Sequence, residues 1–298
     1  MKRAFFVILS FCIIASNGCN QTGSGKSTYS QDIKSEDVEN IIKKYNDDLQ
    51  RIFEFQENIE QLHPFLNRLY PVAIVENDHF YVFDLDDSGE KYVFKTKAAT
   101  EMFVPEGVRA AFPLGFYNNK IGCVVTGDVF DSTEGYITIF HEFIHCHQWN
   151  TVEPGLKTDL PLAVKSMENE DYMWEINYPF PYDNEDFEKI YTEWIKAGDN
   201  LDSESIKEIR SQLKDMLDPF DYQYMVWQEW KEGFALYIEN KIRKHMGVDK
   251  NMVGRTTPYG RTAFYAGGAG YISYLTEDKP ELLIDIEELF YIMRGSKD

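Results

Sequence analysis

The sequence predicts an α+β fold, a small antiparallel or mixed sheet followed by a mostly helical C-terminal lobe, and three observations predict it. Short β-branched and aromatic runs bounded by turn residues fall within residues 72–130. Beyond Trp149 the character changes to apolar residues at helical spacing, separated by aromatic loops. The 298 residues are 43% hydrophobic and 15% aromatic, which is enough to bury a sizeable core.

The start of the chain reads as an address. Lys2 and Arg3 precede an apolar run from Ala4 to Ala15, which predicts an export signal over residues 1–18, too short to span a bilayer permanently. Ser16-Asn17-Gly18-Cys19 resembles a bacterial lipobox, which implies that Cys19 is lipidated and anchors the mature chain. Residues 19–35 then read as a polar tether. Their GSGKS stretch is not a phosphate loop, because Asn20 stands where that motif needs a glycine and no strand precedes it. The expected location is the cell envelope, at the outer membrane, on its periplasmic or surface face. Cys123 and Cys146 are left in the mature domain, able to form one disulfide or none. A formal net charge of −20 without a basic stripe excludes a nucleic-acid surface.

The remainder, residues 36–298, divides into an α+β part over 36–150 and a helical part over 151–298. Val38, Ile41, Ile42, Tyr45, Leu49, Ile52 and Phe53 recur at three and four, so a long amphipathic helix opens the domain and breaks near Pro64. Val72–Val75, Phe80–Leu85 and Lys91–Lys95, separated by Asn77-Asp78 and Asp87-Ser88-Gly89, predict an antiparallel meander. Lys120 to Phe130 adds a strand, and Asp131-Ser132-Thr133 turns into a helix carrying HEFIH. Pro154, Pro161 and Pro179-Phe180-Pro181 mark an irregular connection. Helices follow over 204–217, 222–243, 262–275 and 281–293.

The chemistry sits in Phe140-His141-Glu142-Phe143-Ile144-His145. Four residues apart on a helix, His141 and His145 share one face, so both imidazoles can reach one metal ion. Glu142 is rotated by about 100° from His141, placed to meet a water on that ion rather than to ligate it. Zinc lowers the pKa of its water to about 7, and Glu142 can then serve as general base. His147 lies about 240° around the helix and points away from the ion, toward a role in the core or behind the ligands.

This hexapeptide resembles the active-site helix of gluzincin metallopeptidases, and Glu232-Gly233-Phe234-Ala235-Leu236-Tyr237-Ile238-Glu239 resembles the EGxAxYxE segment of bacterial gluzincin-like proteins. The resemblance covers roughly residues 120–290. It implies a zincin-like form of the α+β fold, one Zn2+ per chain held by His141, His145 and Glu232, and hydrolysis with Glu142 as catalytic base. Gly233 and Ala235 are small enough to let two helix backbones approach so that Glu232 can reach an ion. Glu239, two turns on, suits the orientation of a histidine, and Glu229 is the fallback ligand. The 87 positions between His145 and Glu232 suggest that residues 151–220 are an insertion serving as a binding loop or lid. Tyr265-Ala266-Gly267-Gly268 resembles a tyrosine-x-x-glycine segment of some gluzincins, implying Tyr265 as oxyanion donor, with Tyr259, Arg261 and Tyr271 as competitors. Gly267-Gly268-Ala269-Gly270 reads as a small-residue surface for another helix.

The expected activity is peptide-bond hydrolysis, on a peptide or protein substrate, by a monomer tethered to the membrane through its lipid. Two alternatives stand beside it: a non-catalytic peptide- or glycan-binding lipoprotein, and a zinc amidase acting on cell-wall fragments.

Overall fold

The computed structural model describes residues 35–101 and 103–295; the expected export signal, the expected lipidation at Cys19 and nearly all of the expected tether lie outside the described residues. Helix α1 (Ser35–Ile59) buries Ile41, Tyr45, Leu49, Ile52, Phe55 and Ile59 along one stripe, as the three-four spacing requires. Short 3-10 turns at Glu60–Leu62 and Pro64–Asn67 follow, and between them the His63 Nδ1 accepts the Phe65 N–H at 3.3 Å.

Strands β1 (Val72–Glu76), β2 (His79–Leu85) and β3 (Tyr92–Ala99) form the expected meander. Asn77 and Asp78 both take positive φ in its first turn, where these side chains tolerate the left-handed region. A strand the sequence reading missed, β4 (Arg109–Leu114), pairs antiparallel with β5 (Lys120–Thr126). Its Ala-Ala core and Pro113 weaken the pattern, and they are tolerated because β4 is an edge strand. The order is β3-β2-β1-β5-β4, and β1 runs parallel to β5 with Val72 opposite Cys123, so the sheet is mixed. Beyond Thr126 the backbone tightens into a 3-10 helix, Gly127–Asp131, where the sequence suggested strand to Phe130.

Helix α2 (Thr133–Thr151) starts at Ser132, whose hydroxyl accepts the Gly135 N–H. Residues 151–220, expected to be an insertion with an irregular connection ahead of a helix over 204–217, supply α3 (Glu153–Asp159), α4 (Pro161–Glu168), α5 (Trp174–Asn177) and α6 (Glu185–Asn200) where the irregular connection was expected, and α7 (Ser203–Met216) where the helix was. Pro154 and Pro161 occupy first-turn positions, where a missing N–H costs nothing, so they begin helices rather than break them. Trp174, Phe187, Tyr191, Trp194 and Leu213 are buried in the main core, so most of this segment is wall and not lid. Helices α8 (Pro219–His245), α9 (Ala263–Asp278) and α10 (Ile286–Arg294) complete the chain.

One core runs from Ile41 to Met293, with α2 between the sheet and α8. Alternation along the strands sends Val72, Ile74, Cys123 and Val125 into it, while Ala73, Val75, Ala110, Phe112 and Val124 form a smaller cluster on the other sheet face. Cys123 and Cys146 are buried and unpaired with each other. Among the described residues no helix is long and apolar enough to cross a membrane.

Helices α8 and α9 pack backbone to backbone. A Cβ on Gly268 would fall 2.2 Å from the Glu229 carbonyl oxygen, and one on Gly233 would fall 2.6 Å from the Gly268 Cα. The smallness of Gly233 thus serves contact with α9, and not the approach to the histidine helix that its position beside Glu232 suggested. The run Gly267–Gly270 is, as read from sequence, a surface on which neighbours rest.

Candidate metal centre

Helix α2 presents His141 and His145 on one face, α8 supplies Glu232 and Glu239, and α9 supplies Tyr265. His141, Glu142, His145, Glu232 and Tyr265 are each at most 2% exposed. The His141 and His145 Nε2 atoms lie 3.2 Å apart, and His145 Nε2 lies 3.2 Å from Glu232 Oε2. A tetrahedral ion with bonds of 2.0–2.1 Å would set its donor atoms about 3.3 Å apart. The buried group His141, His145 and Glu232 could therefore hold a metal ion.

The far atom of each of these side chains is occupied. His141 Nδ1 lies 2.9 Å from Glu239 Oε2, His145 Nδ1 lies 2.9 Å from Gln148 Oε1, and the Arg261 guanidinium donates to Glu232 Oε1 at 2.9 Å. Acceptors at both Nδ1 positions leave each neutral ring a lone pair at Nε2. Two lone pairs that face each other across 3.2 Å need a cation or a proton between them. In the protein alone that proton is provided for. Burial opposes charge on His141, but the hydrogen bond and charge of Glu239, with Glu142 and Glu232 beyond, outweigh it and raise the imidazole to about 9. Glu239 is correspondingly held down to about 2, its burial overcome by His141 and Arg243. Glu232 is also burial-penalised, yet His145, Arg261 and His141 hold it well below the usual carboxylate range.

Beside this triad two polar groups are left over. Both carboxylate oxygens of Glu142 and the Tyr265 hydroxyl are buried without a hydrogen-bond partner. Burial pushes the Glu142 carboxyl above its usual value against the pull of His145 and His141. It also raises the Tyr265 phenol, which Arg261 lowers and Glu232 raises further, so the hydroxyl stays a neutral donor. The Tyr265 ring runs nearly parallel to that of His141, at 13° and 6.5 Å between centroids.

The other candidates lie elsewhere. Glu229 accepts from Tyr191, Trp194 and Arg210 at 2.8, 2.9 and 2.5 Å, a satisfied pocket of its own, so the fallback ligand is not at the site. His147 stacks on Phe65 at 3.7 Å and faces Tyr70, consistent with a packing role. Tyr259 bonds Thr192, and Tyr271 packs on Trp194 under the Arg210 cation; of the four oxyanion candidates only Tyr265 and Arg261 reach the centre.

Sequence reasoning missed Gln148 and a buried charge cluster behind it. Gln148 stands three residues after His145 on the same helix, a spacing that could have flagged it. Its Nε2 donates to the Lys231 carbonyl at 3.2 Å. The Lys231 ammonium in turn meets Glu153 and Glu175 at 3.1 and 2.7 Å, and Lys157 pairs with the same two carboxylates. Burial would raise Glu175, but Lys157 and Lys231 hold it far below the usual range. Such a cluster tolerates charge in the interior only because every member is paired.

No protein-family model, no curated protein and no solved structure matches this chain.

Proposed function

We propose that this protein is a zinc-dependent peptidase of the gluzincin type on a zincin-like α+β fold, held at the cell envelope through a lipid on Cys19. The observation that carries the reading is the Glu142 carboxylate, buried with no hydrogen-bond partner beside three converging donor atoms. An unpaired buried carboxylate is costly, so its retention is best explained by a task that needs its lone pairs. His141, His145 and Glu232 would hold the ion, leaving a fourth position open as catalytic sites do.

When bound, zinc supplies Lewis-acid polarisation of a carbonyl and makes a water acidic enough to be deprotonated near neutral pH. Glu142 takes the proton from the attacking water and delivers it to the leaving amine. Its raised proton affinity suits both steps. The Tyr265 hydroxyl, kept neutral by burial, donates to the carbonyl oxygen as negative charge develops there.

The test is metal analysis together with digestion of a broad peptide library. The purified chain should carry about one zinc, and Glu142→Gln should keep the metal while hydrolysis falls by about 10²- to 10⁴-fold. Cleavage at the parent rate by Glu142→Gln, or no metal uptake, overturns the reading.

One observation favours a second reading. With His141, Glu142, His145, Glu232 and Tyr265 each at most 2% exposed, a substrate reaches them only if the walls part. A lipoprotein that keeps the metal but only binds peptide or glycan needs no such opening. A zinc-replete protein inactive on peptides would select this reading, and a muropeptide digest separates both from a cell-wall amidase.

A further inference from the structure

Residues 246–262 join α8 to α9 without helix or strand of their own. An unstructured connection longer than roughly 12 to 15 residues inside a packed domain usually has a task. Here both of its ends touch the metal centre from behind. Near its start, the Asn251 side-chain amide donates to Glu239 Oε1 at 3.0 Å, while Glu239 Oε2 faces His141. At its end, Arg261 donates to Glu232 Oε1 at 2.9 Å and to Gln228 at 3.3 Å, while Glu232 Oε2 faces His145. The Asn251 position is itself fixed: its backbone N–H donates to Asn240 Oδ1 at 2.8 Å, and its Oδ1 accepts from the Val253 N–H at 3.0 Å. Midway, Arg255 pairs with Asp199 at the end of α6.

We propose that this connection is a clasp for the metal, with Asn251 and Arg261 as positioning residues that each fix one oxygen of a carboxylate and so aim the other. The proposal rests on the metal reading of His141, His145 and Glu232. Arg261 keeps Glu232 from swinging to offer both oxygens, and Asn251, with Arg243, keeps Glu239 turned toward His141. Coupling of this kind is reciprocal: if the ordered connection raises metal affinity, the metal must raise the order of the connection by the same factor.

Two measurements on the full mature chain test it, neither needing activity. Zinc affinity by chelator competition should fall about 10- to 100-fold in Arg261→Met and in Asn251→Ala. It should stay unchanged in Met252→Ala, whose side chain is 59% exposed in the same connection. Amide hydrogen exchange of the wild type, which requires no variant to fold, should slow about tenfold or more across 246–262 when zinc replaces a chelator. Parent-like affinity in both variants overturns the clasp while leaving the metal site standing, and so does exchange across 246–262 that zinc does not change. A wild type that takes up no zinc at all overturns the underlying metal reading instead.

Discussion

His141 and Glu239 meet inside the protein, ring nitrogen Nδ1 to carboxylate Oε2 at 2.9 Å, from helices whose residues lie 98 positions apart in sequence. The contact fixes the histidine tautomer that leaves Nε2 as a donor atom, and it strengthens that atom's basicity. Glu239 is fully used in doing so, because its other oxygen takes Arg243 and Asn251 at 2.6 and 3.0 Å.

If His141, His145 and Glu232 hold an ion as proposed, replacing Glu239 acts on metal affinity before it acts on anything else. Glu239→Ala should weaken zinc binding about 10- to 100-fold, the usual cost of losing a partner of a ligating histidine. Glu239→Gln retains an acceptor oxygen and should fall between the two. Competition with a chromophoric chelator at fixed pH reads the series, and equal affinities for all three proteins would remove Glu239 from the centre.

Glu142 makes the opposite prediction for stability. Its buried carboxylate has no hydrogen-bond partner, so in metal-free protein it is a liability. Glu142→Met, similar in volume and apolar, should stabilise the metal-free chain by about 1–2 kcal/mol in urea unfolding while abolishing the proposed hydrolysis. A loss of stability would mean that the carboxylate is satisfied in solution by groups other than a substrate water.

What the sequence made legible follows from which signals are local. The HEFIH spacing alone places His141, His145 and Glu142, because helix geometry fixes where residues one and four apart point. The α1 stripe and the Asn77-Asp78 turn are legible for the same reason. Glu232 and Glu239 needed a resemblance, since nothing local says which of the many acidic residues on α8 turns inward. Gln148 was within reach of a spacing argument, whereas Asn251 was not: its contact with Glu239 exists only after an irregular connection has folded back on α8. Strand β4 and helices α3 to α6 were missed, while α7 was read, because alanines and prolines speak weakly or ambiguously without knowing that β4 is an edge strand and that Pro154 and Pro161 begin helices.

The α8–α9 contact gives a prediction about architecture. Gly268→Ala would drive a methyl to 2.2 Å from the Glu229 carbonyl, a backbone atom that cannot rotate aside. The helices must separate, at a cost of about 3 kcal/mol or more, and α9 carries Tyr265 with it. Gly155→Ala, in α3 with nothing within 4 Å of the added Cβ, should be neutral or stabilising by up to about 1 kcal/mol. Thermal unfolding of the two variants side by side tests the contrast. Equal midpoints would show that the close approach is not obligatory.

His63 predicts where acid begins to unfold the protein. Its Nδ1 accepts the Phe65 N–H, and its Nε2 lies 3.0 Å from the Leu283 carbonyl, so the neutral ring makes both bonds and a protonated one must abandon the first. Burial is the main cause that lowers it, with Lys241 and His147 adding and the Leu283 bond opposing, to about 4 against an unfolded value near 6.5. A depressed folded value means that the unfolded chain binds the extra proton between those limits, so stability is full above about pH 6.5 and drains as pH falls toward 4. The loss from this one ring is on the order of 3 kcal/mol, with a slope near 1.4 kcal/mol per pH unit in mid-window. In His63→Asn, which keeps an oxygen to accept the Phe65 N–H but has no proton to gain, the plot of unfolding free energy against pH should be flatter by that slope between pH 4 and 6.5. Parallel curves for variant and parent would show that the ring is not held neutral in the folded protein.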